Sequence, residues 1–338
     1  MGIALSAEPQ SVTDGARSAK EWERGPRARL ITLWTDALGK TEPAPADLVH
    51  FPDIRQAREL KREELPRYTR IELELPAETG YWQPHLLLIP KGFRGKRPAV
   101  VAWTSTTPDW RKPEEWWGAW LAERGYVVLT GWSFIRQYRG GATYSSRVNE
   151  AVYERFGYWA PISKMVWDAR RQYQYLKSLP NVDPRRVGFM GFSLSAKTAV
   201  YAAAFAPEFA AIVSLDPCLP LGKLPEGGGT NWEQPWYLDW DRHSGKILAG
   251  HDHHELLALG APRPFLLIAG SADTEWGRAH SDGRATVRWI ARAREVYRLY
   301  RAGDRLQFVP TRDGHSATGA EITPAWQAFF EKWLGGKR

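Results

Sequence analysis

The chain has 338 residues, of which 43% are hydrophobic and 25% charged, a balance typical of a globular protein. No apolar run reaches the roughly eighteen residues of a membrane-spanning helix, and residues 1–10 lack the basic flank of a signal peptide. The single cysteine, Cys218, excludes an intramolecular disulfide and leaves the compartment open. We expect a soluble protein, either cytoplasmic or secreted with its signal segment outside this sequence.

The net charge of +8 raises the question of a nucleic-acid partner. The arginines from Arg284 to Arg298 recur at helical spacing between apolar residues such as Trp289, which is the pattern of a helix with one solvated face. We adopt that interpretation, with an anionic patch or an oligomer contact as the alternatives. No nucleic-acid partner and no membrane association are therefore expected, and the oligomeric state stays open.

Taken in chain order, residues 1–66 are predicted to form a polar helical arm that packs on a catalytic domain, residues 67–338. Apolar residues at helical spacing in Ala28–Leu38 and the charged segment Arg58–Glu64 belong to this arm. The predicted strands of the domain are 69–75, 82–89, 98–103, 126–129, 186–191, 211–215, 265–269 and 306–310. The predicted helices are 113–124, 163–179, 196–205 and 324–334, with another between the last two strands. This alternation indicates an α/β domain with a mostly parallel sheet covered on both faces.

A nucleophilic serine is predicted at Ser193. The apolar strand ends at Gly191, Ser193 follows two positions later, and a helix of small residues begins at once. Such a strand–turn–helix, called a nucleophile elbow, exposes the hydroxyl and brings helix N–H groups to a developing oxyanion. The usual pattern is Gly-x-Ser-x-Gly, in which Ser195 replaces the second glycine here. A serine that merely caps the helix is the alternative.

A nucleophilic serine needs a base and an orienting carboxylate, which in this arrangement follow later strands in the order acid, histidine. His315 lies in a glycine-flanked loop after the last predicted strand and is the predicted base. Asp273 follows the strand 265–269 and is the predicted acid. Glu275 and Asp216 are the reserve candidates. A loop cap or a surface ion pair is the alternative for any of these acids.

An oxyanion hole is expected to combine the backbone N–H of Leu194 with one from the loop after the strand 98–103. Thr104 and Ser105 are the candidates in that loop. The sequence does not decide between them, because a backbone donor permits almost any side chain.

Three stretches of the chain carry a family resemblance: Ser178–Gly188 before the elbow, His254–Pro264, and Asp313–His315. Together they resemble the bacterial acetyl xylan esterase and dienelactone hydrolase-like families of the α/β-hydrolases, over roughly residues 64–334. The resemblance implies the α/β-hydrolase fold and ester hydrolysis through an acyl-enzyme, without a cofactor.

The elbow is also similar in part to that of the glucuronoyl esterases, whose pattern is serine, arginine, any residue, glycine, lysine. Lys197 matches the lysine, whereas Leu194 and Ala196 replace the arginine and the glycine. Lys197 is therefore a tentative substrate-binding residue, and a solvated lysine in the first turn of a helix is the alternative.

An insertion at residues 217–248 is rich in aromatic side chains and is expected to overhang the active site. Trp232 and Trp236 are its tentative substrate-binding residues. The segment His251–Glu255 suggests a metal site, but it leads into a helix of the resembled family, and we expect no metal.

We therefore predict a serine esterase that acts on short-acyl, carbohydrate or aromatic esters, with a small-molecule or glycan ester as its substrate. The first alternative is a serine peptidase or amidase on the same fold, although neither a site for a peptide N-terminus nor a propeller domain is evident. The second is a catalytically silent glycan-binding protein, which the ordered serine, acid and histidine argue against. The acyl group, the alcohol and the pathway are not identified by the sequence.

Overall fold

The computed structural model describes residues 8–38, 52–78, 80–105, 109–134, 159–222, 250–271 and 282–335. Its strands are β1 (Arg58–Glu64), β2 (Tyr68–Glu78), β3 (Tyr81–Pro90), β4 (Arg97–Trp103), β5 (Val127–Gly131), β6 (Val182–Phe192), β7 (Ala211–Leu215), β8 (Phe265–Gly270) and β9 (Leu306–Thr311). They form one nine-stranded sheet in the order β1-β2-β3-β5-β4-β6-β7-β8-β9. Each predicted strand is present, and β1 is an addition.

The described helices are α1 (Ala19–Arg24), α2 (Pro26–Leu38), α3 (Ala119–Glu123), α4 (Pro161–Ser178), α5 (Leu194–Phe205), α6 (His254–Leu259), α7 (Asp282–Leu299) and α8 (Ile322–Trp333). A π-helical turn, Glu114–Gly118, leads directly into α3, and a 3-10 turn, Gly303–Arg305, precedes β9. None of these helices is long and apolar enough to cross a membrane.

The sheet is antiparallel from β1 to β3, and β3 also runs antiparallel to β5. The strands β4 to β9 pair in parallel, so their carboxyl ends lie at one edge of the sheet. Successive residues of β4 belong to different apolar cores: Val101 packs with one face, and Val100 and Ala102 pack with the other. The predicted mostly parallel sheet with a core on each face is confirmed.

The prediction of helix at Arg58–Glu64 was wrong. The segment is the edge strand β1 and pairs antiparallel with β2. Its residues favour helices in isolation, but pairing with β2 overrides that preference. Six of its seven residues are exposed, and charges along an edge strand prevent pairing with another chain. The helical part of the arm therefore ends at Leu38 within the described residues, while the division into arm and domain stays a prediction.

Residues of the arm contact the helices α6 and α7. Trp34 is fully buried, and its Nε1 donates to Glu255 Oε2 at 2.8 Å. Arg292 Nε donates to the Pro9 carbonyl at 2.8 Å, and Arg288 pairs with Glu8. Part of the arginine face of α7, which was interpreted as solvated, is therefore an intramolecular contact.

Candidate active site

Ser193 lies on a sharp turn between β6 and α5. Its φ is +55° and its ψ is −109°, a conformation that a non-glycine residue adopts only where the surroundings enforce it. A Cβ atom at Gly191 would lie 2.4 Å from the Ser195 carbonyl oxygen, so the turn requires glycine there. The Ser193 side chain makes no capping hydrogen bond to α5, which disfavours the alternative of a capping serine.

His315, which follows β9, reaches the same edge of the sheet. Its ring centroid lies 4.7 Å from that of Phe192, the neighbour of Ser193 in the chain. The side chain is 14% exposed, so the imidazole is shielded but reachable. The structure thus brings the predicted base next to Phe192, the residue before the predicted nucleophile.

Asp216, a reserve acid in the prediction, lies beside this histidine. It follows β7 directly, is buried, and adopts a φ of +55°. Its Oδ1 accepts the N–H of Gly270 at 2.7 Å, and its Oδ2 accepts the N–H of Ser316 at 3.1 Å. Oδ2 also lies 4.0 Å from Nδ1 of His315. The carboxylate is therefore held by two backbone donors within reach of the imidazole.

Asp273 and Glu275 lie outside the described residues, as do Trp232 and Trp236 of the insertion. Asp273 therefore remains a prediction, whereas Asp216 has an observed place beside the base.

Gly270, the last residue of β8, makes this convergence possible. A Cβ atom there would lie 2.5 Å from the carbonyl oxygen of Asp313 and 2.6 Å from that of Gly314. The loop that carries His315 therefore packs against the bare backbone at the end of β8. A side chain at this position would displace the loop.

Thr104 and Ser105, the two candidates for the oxyanion hole after β4, differ in whether their backbone N–H groups are already hydrogen-bonded. The N–H of Thr104 donates to the Gly131 carbonyl at 3.0 Å and so continues the sheet. That hydrogen bond removes Thr104 from the predicted donors. Ser105 N–H donates to no acceptor in the described part of the chain, and Leu194, the first residue of α5, has no acceptor within its helix. Ser105 and Leu194 remain as the candidate pair.

Lys197 is not the solvated lysine that was kept as an alternative. Its side chain is buried, with 1% of the residue exposed, and Nζ donates to the Pro217 carbonyl. The structure thus places Lys197 against the segment that follows β7.

Sequence reasoning missed an aromatic wall next to the base. Trp116, in the π-helical turn, stands edge-on to Phe192 with ring centroids 5.9 Å apart, and Phe192 in turn contacts the ring of His315. Trp116 remains partly exposed, whereas Trp117 beside it is fully buried and donates to the Ala317 carbonyl. The position between glycine and serine in the elbow could have identified Phe192, since it must neighbour the nucleophile.

The histidine-rich segment His251–Glu255 is an internal support. Burial lowers the pKa of His253 and of His254 to about 3, so both rings are neutral near pH 7. His253 bonds the Leu219 carbonyl, and His254 bonds the Gln10 carbonyl. Among the described residues, no group of three or more histidine, cysteine or acidic side chains could hold a metal ion.

Comparisons with known proteins identify similar sequences and similar folds. Residues 87–228 match the model of the dienelactone hydrolase family. The structure superposes on a promiscuous CE15 esterase from the marine bacterial metagenome with a TM-score of 0.71, at 17% identity, over 99% of this chain and 98% of that one. The protein has the α/β-hydrolase fold.

Two curated fungal proteins are related to this chain in sequence. The 4-O-methyl-glucuronoyl methylesterase 1 of Wolfiporia cocos (strain MD-104) is 29% identical over 56% of this chain and 51% of its own length. The 4-O-methyl-glucuronoyl methylesterase of Phanerochaete carnosa (strain HHB-10118-sp) is 25% identical over 74% of this chain and 67% of its own length. The match thus spans about half of the first relative and about two thirds of the second. The predicted resemblance to α/β-hydrolase esterases, including glucuronoyl esterases, is confirmed.

Proposed function

We propose that this protein, which has the α/β-hydrolase fold, is a serine esterase that cleaves carboxylic esters of carbohydrates through an acyl-enzyme. The observation that supports the proposal is that a serine, an acid and a histidine each follow a parallel strand at one edge of the sheet. Ser193 stands on a left-handed elbow after β6, Asp216 follows β7, and His315 follows β9 beside the elbow. The order along the chain is serine, acid, histidine, as this fold requires.

In the proposed reaction, His315 removes the proton of Ser193 while the serine oxygen attacks the ester carbonyl. Asp216 orients the imidazole and stabilises its charged form, and Asp273 is the alternative acid. The N–H groups of Leu194 and Ser105 bind the oxyanion of the tetrahedral intermediate. His315 then protonates the leaving alcohol, and water, activated by the same histidine, releases the acid from Ser193.

The proposed substrate class is an ester of a uronic acid or an acetylated sugar. The names of the two curated relatives describe esterases of 4-O-methyl-glucuronoyl groups, which supports the uronate ester. Trp116, which is partly exposed and stands edge-on to the buried Phe192, gives an apolar surface near the base that suits a sugar ring or an aromatic group. Because polysaccharide esters are found outside the cell, this substrate class favours the secreted alternative for the location of the protein. No nucleic-acid partner is proposed, because Arg288 and Arg292 contact the arm.

The first experiment measures hydrolysis of p-nitrophenyl acetate and of methyl glucuronate by the wild type and by Ser193→Ala. We expect wild-type turnover of at least one ester and loss of that turnover in the variant. Ser178→Ala is the matched control, since the Ser178 hydroxyl donates only to the Tyr175 carbonyl within α4 among the described groups. This variant should retain full activity.

Labelling of Ser193 by a fluorophosphonate separates the alternatives. Labelling together with faster cleavage of an anilide than of the matching ester would replace the proposal by an amidase. If the protein is not labelled and shows no turnover, the proposal of an esterase is overturned and the alternative of a glycan-binding protein remains.

A further inference from the structure

The segment directly after β7, residues 216–222, is called the strap below. It begins at Asp216 and leads into the insertion, and its backbone is held by buried polar side chains. Lys197 Nζ donates to the Pro217 carbonyl, and His253 Nδ1 lies 2.5 Å from the Leu219 carbonyl. The N–H of Leu221 donates to Asp252 Oδ1 at 3.0 Å.

Two of these hydrogen bonds depend on side chains from one face of α5, the helix that begins directly after the nucleophile. Lys197 and Tyr201 are four residues apart and so lie on the same side of the helix. The Tyr201 hydroxyl lies 3.0 Å from His253 Nε2. Because His253 is neutral and its Nδ1 faces a carbonyl, Nδ1–H is the donor and Nε2 accepts from Tyr201. The same helix therefore holds the strap directly through Lys197 and indirectly through His253.

The strap needs such support because its backbone is unfavourable. Asp216 has a φ of +55° and Cys218 a φ of +54°, left-handed values that cost about 1 kcal/mol or more for each non-glycine residue. Burial of a lysine is itself costly unless its ammonium is hydrogen-bonded. Lys197, with 1% exposure and its Nζ on the carbonyl next to Asp216, meets that condition at the strap.

We propose that Lys197 is a positioning residue, which holds Asp216 beside His315 by binding the Pro217 carbonyl and does not contact the substrate. This inference rests on the proposed function, because Asp216 is taken as the acid of the triad. It replaces the tentative role of Lys197 in substrate binding that the sequence suggested.

Kinetics of Lys197→Met distinguish the two roles. If Lys197 positions Asp216, kcat falls about 10- to 100-fold for p-nitrophenyl acetate and methyl glucuronate alike, with little change in either KM. If Lys197 binds the sugar, KM rises for methyl glucuronate while p-nitrophenyl acetate is hydrolysed as before, and the proposal is overturned. Lys164→Met is the matched control, since Lys164 is also buried but pairs with Asp168 within α4. It should leave kcat unchanged.

A second readout does not depend on turnover. The pKa of His315 is measured by NMR titration of the imidazole, with the signal assigned through His315→Gln. Among the described charged groups, Asp216 lies 4.0 Å from the imidazole and Lys197 binds the carbonyl of the residue after Asp216, while Arg312 and Asp313 belong to the same loop as His315. Displacement of the carboxylate in Lys197→Met should lower the pKa of His315, as Asp216→Asn should.

The sign of that shift decides between the two roles of the lysine. Loss of the ammonium with Asp216 still in place would raise the pKa of His315, and that result or no change would overturn the proposal. Should the wild type hydrolyse neither ester, the proposed function fails, but the titration still tests the positioning. Should Lys197→Met not fold, Lys197→Leu also lacks a donor for the Pro217 carbonyl and is expected to give both effects.

Discussion

Asp216 Oδ2 accepts the backbone N–H of Ser316 at 3.1 Å while it lies 4.0 Å from Nδ1 of the preceding residue, His315. The first contact fixes the loop that carries the base, and the second is longer than a hydrogen bond. Distances between catalytic groups are often longer without substrate and shorten in the reacting complex. One carboxylate thus both holds the loop and faces the imidazole.

Asp216→Asn should therefore reduce kcat strongly. The amide keeps the shape of the side chain but favours the wrong imidazole tautomer, which in serine proteases costs about 10⁴-fold. Asp273→Asn is the matched comparison, measured with p-nitrophenyl acetate under the same conditions. A larger loss of kcat in Asp273→Asn than in Asp216→Asn would move the role of the acid to the loop after β8.

Gly270→Ala should impair both activity and stability. The new methyl group would meet the carbonyl oxygens of Asp313 and Gly314 at 2.5 and 2.6 Å, so the loop of His315 must move. We expect a loss of about 1–3 kcal/mol in the free energy of unfolding, together with a lower kcat. Gly303→Ala is the control, since its nearest neighbour beyond the adjacent residues is Arg298 Cγ at 3.6 Å. Urea unfolding that gives equal losses for both variants would contradict this account.

Trp34→Phe tests how the arm is attached. The substitution removes the N–H that donates to Glu255 Oε2 and leaves a buried carboxylate oxygen without that donor, which costs about 1–3 kcal/mol. Trp289→Phe is the control for the change in volume, because Trp289 is equally buried and its Nε1 has no acceptor in the described structure. Thermal unfolding should show the larger decrease for Trp34→Phe, and equal decreases would argue against the hydrogen bond.

Stability should fall as the pH drops below about 6.5. Burial lowers the pKa of His85 to about 4, and those of His253 and His254 to about 3. In this window the unfolded chain binds protons that the folded protein does not, so the free energy of unfolding decreases by up to about 1.4 kcal/mol per pH unit for each histidine. Glu255 raises the pKa of His251, so this histidine stabilises the folded protein fully below about pH 6.5 and loses that contribution only as the pH rises; it does not change the slope at lower pH.

Urea unfolding at about pH 7 and pH 5 measures this dependence. His85→Asn keeps a donor for the Thr130 carbonyl but removes one titrating group. It should reduce the pH dependence by about a third, since each of the three histidines contributes up to about the same slope. An unchanged pH dependence in the variant would show that other groups control acid stability.

The sequence predicted the elbow, the alternation of strands and helices and the position of His315, because each depends on local patterns that the fold leaves intact. It ranked Asp273 above Asp216, since no local pattern tells which loop approaches the histidine. Neither the hydrogen bond of Thr104 N–H to the Gly131 carbonyl nor the burial of Lys197 could be foreseen. Both arise from pairing between segments that are far apart in the chain.

The π-helical turn Glu114–Gly118 contains one residue more than an α-helical turn of the same span. Each residue of a helix turns the chain by about 100°. Loss of a single codon in this turn would therefore swing Trp116 away from Phe192, while Trp117 is tied to the Ala317 carbonyl. Insertion or deletion of one residue in this turn can therefore change the position of Trp116 near His315 without altering the residues proposed to carry the chemistry.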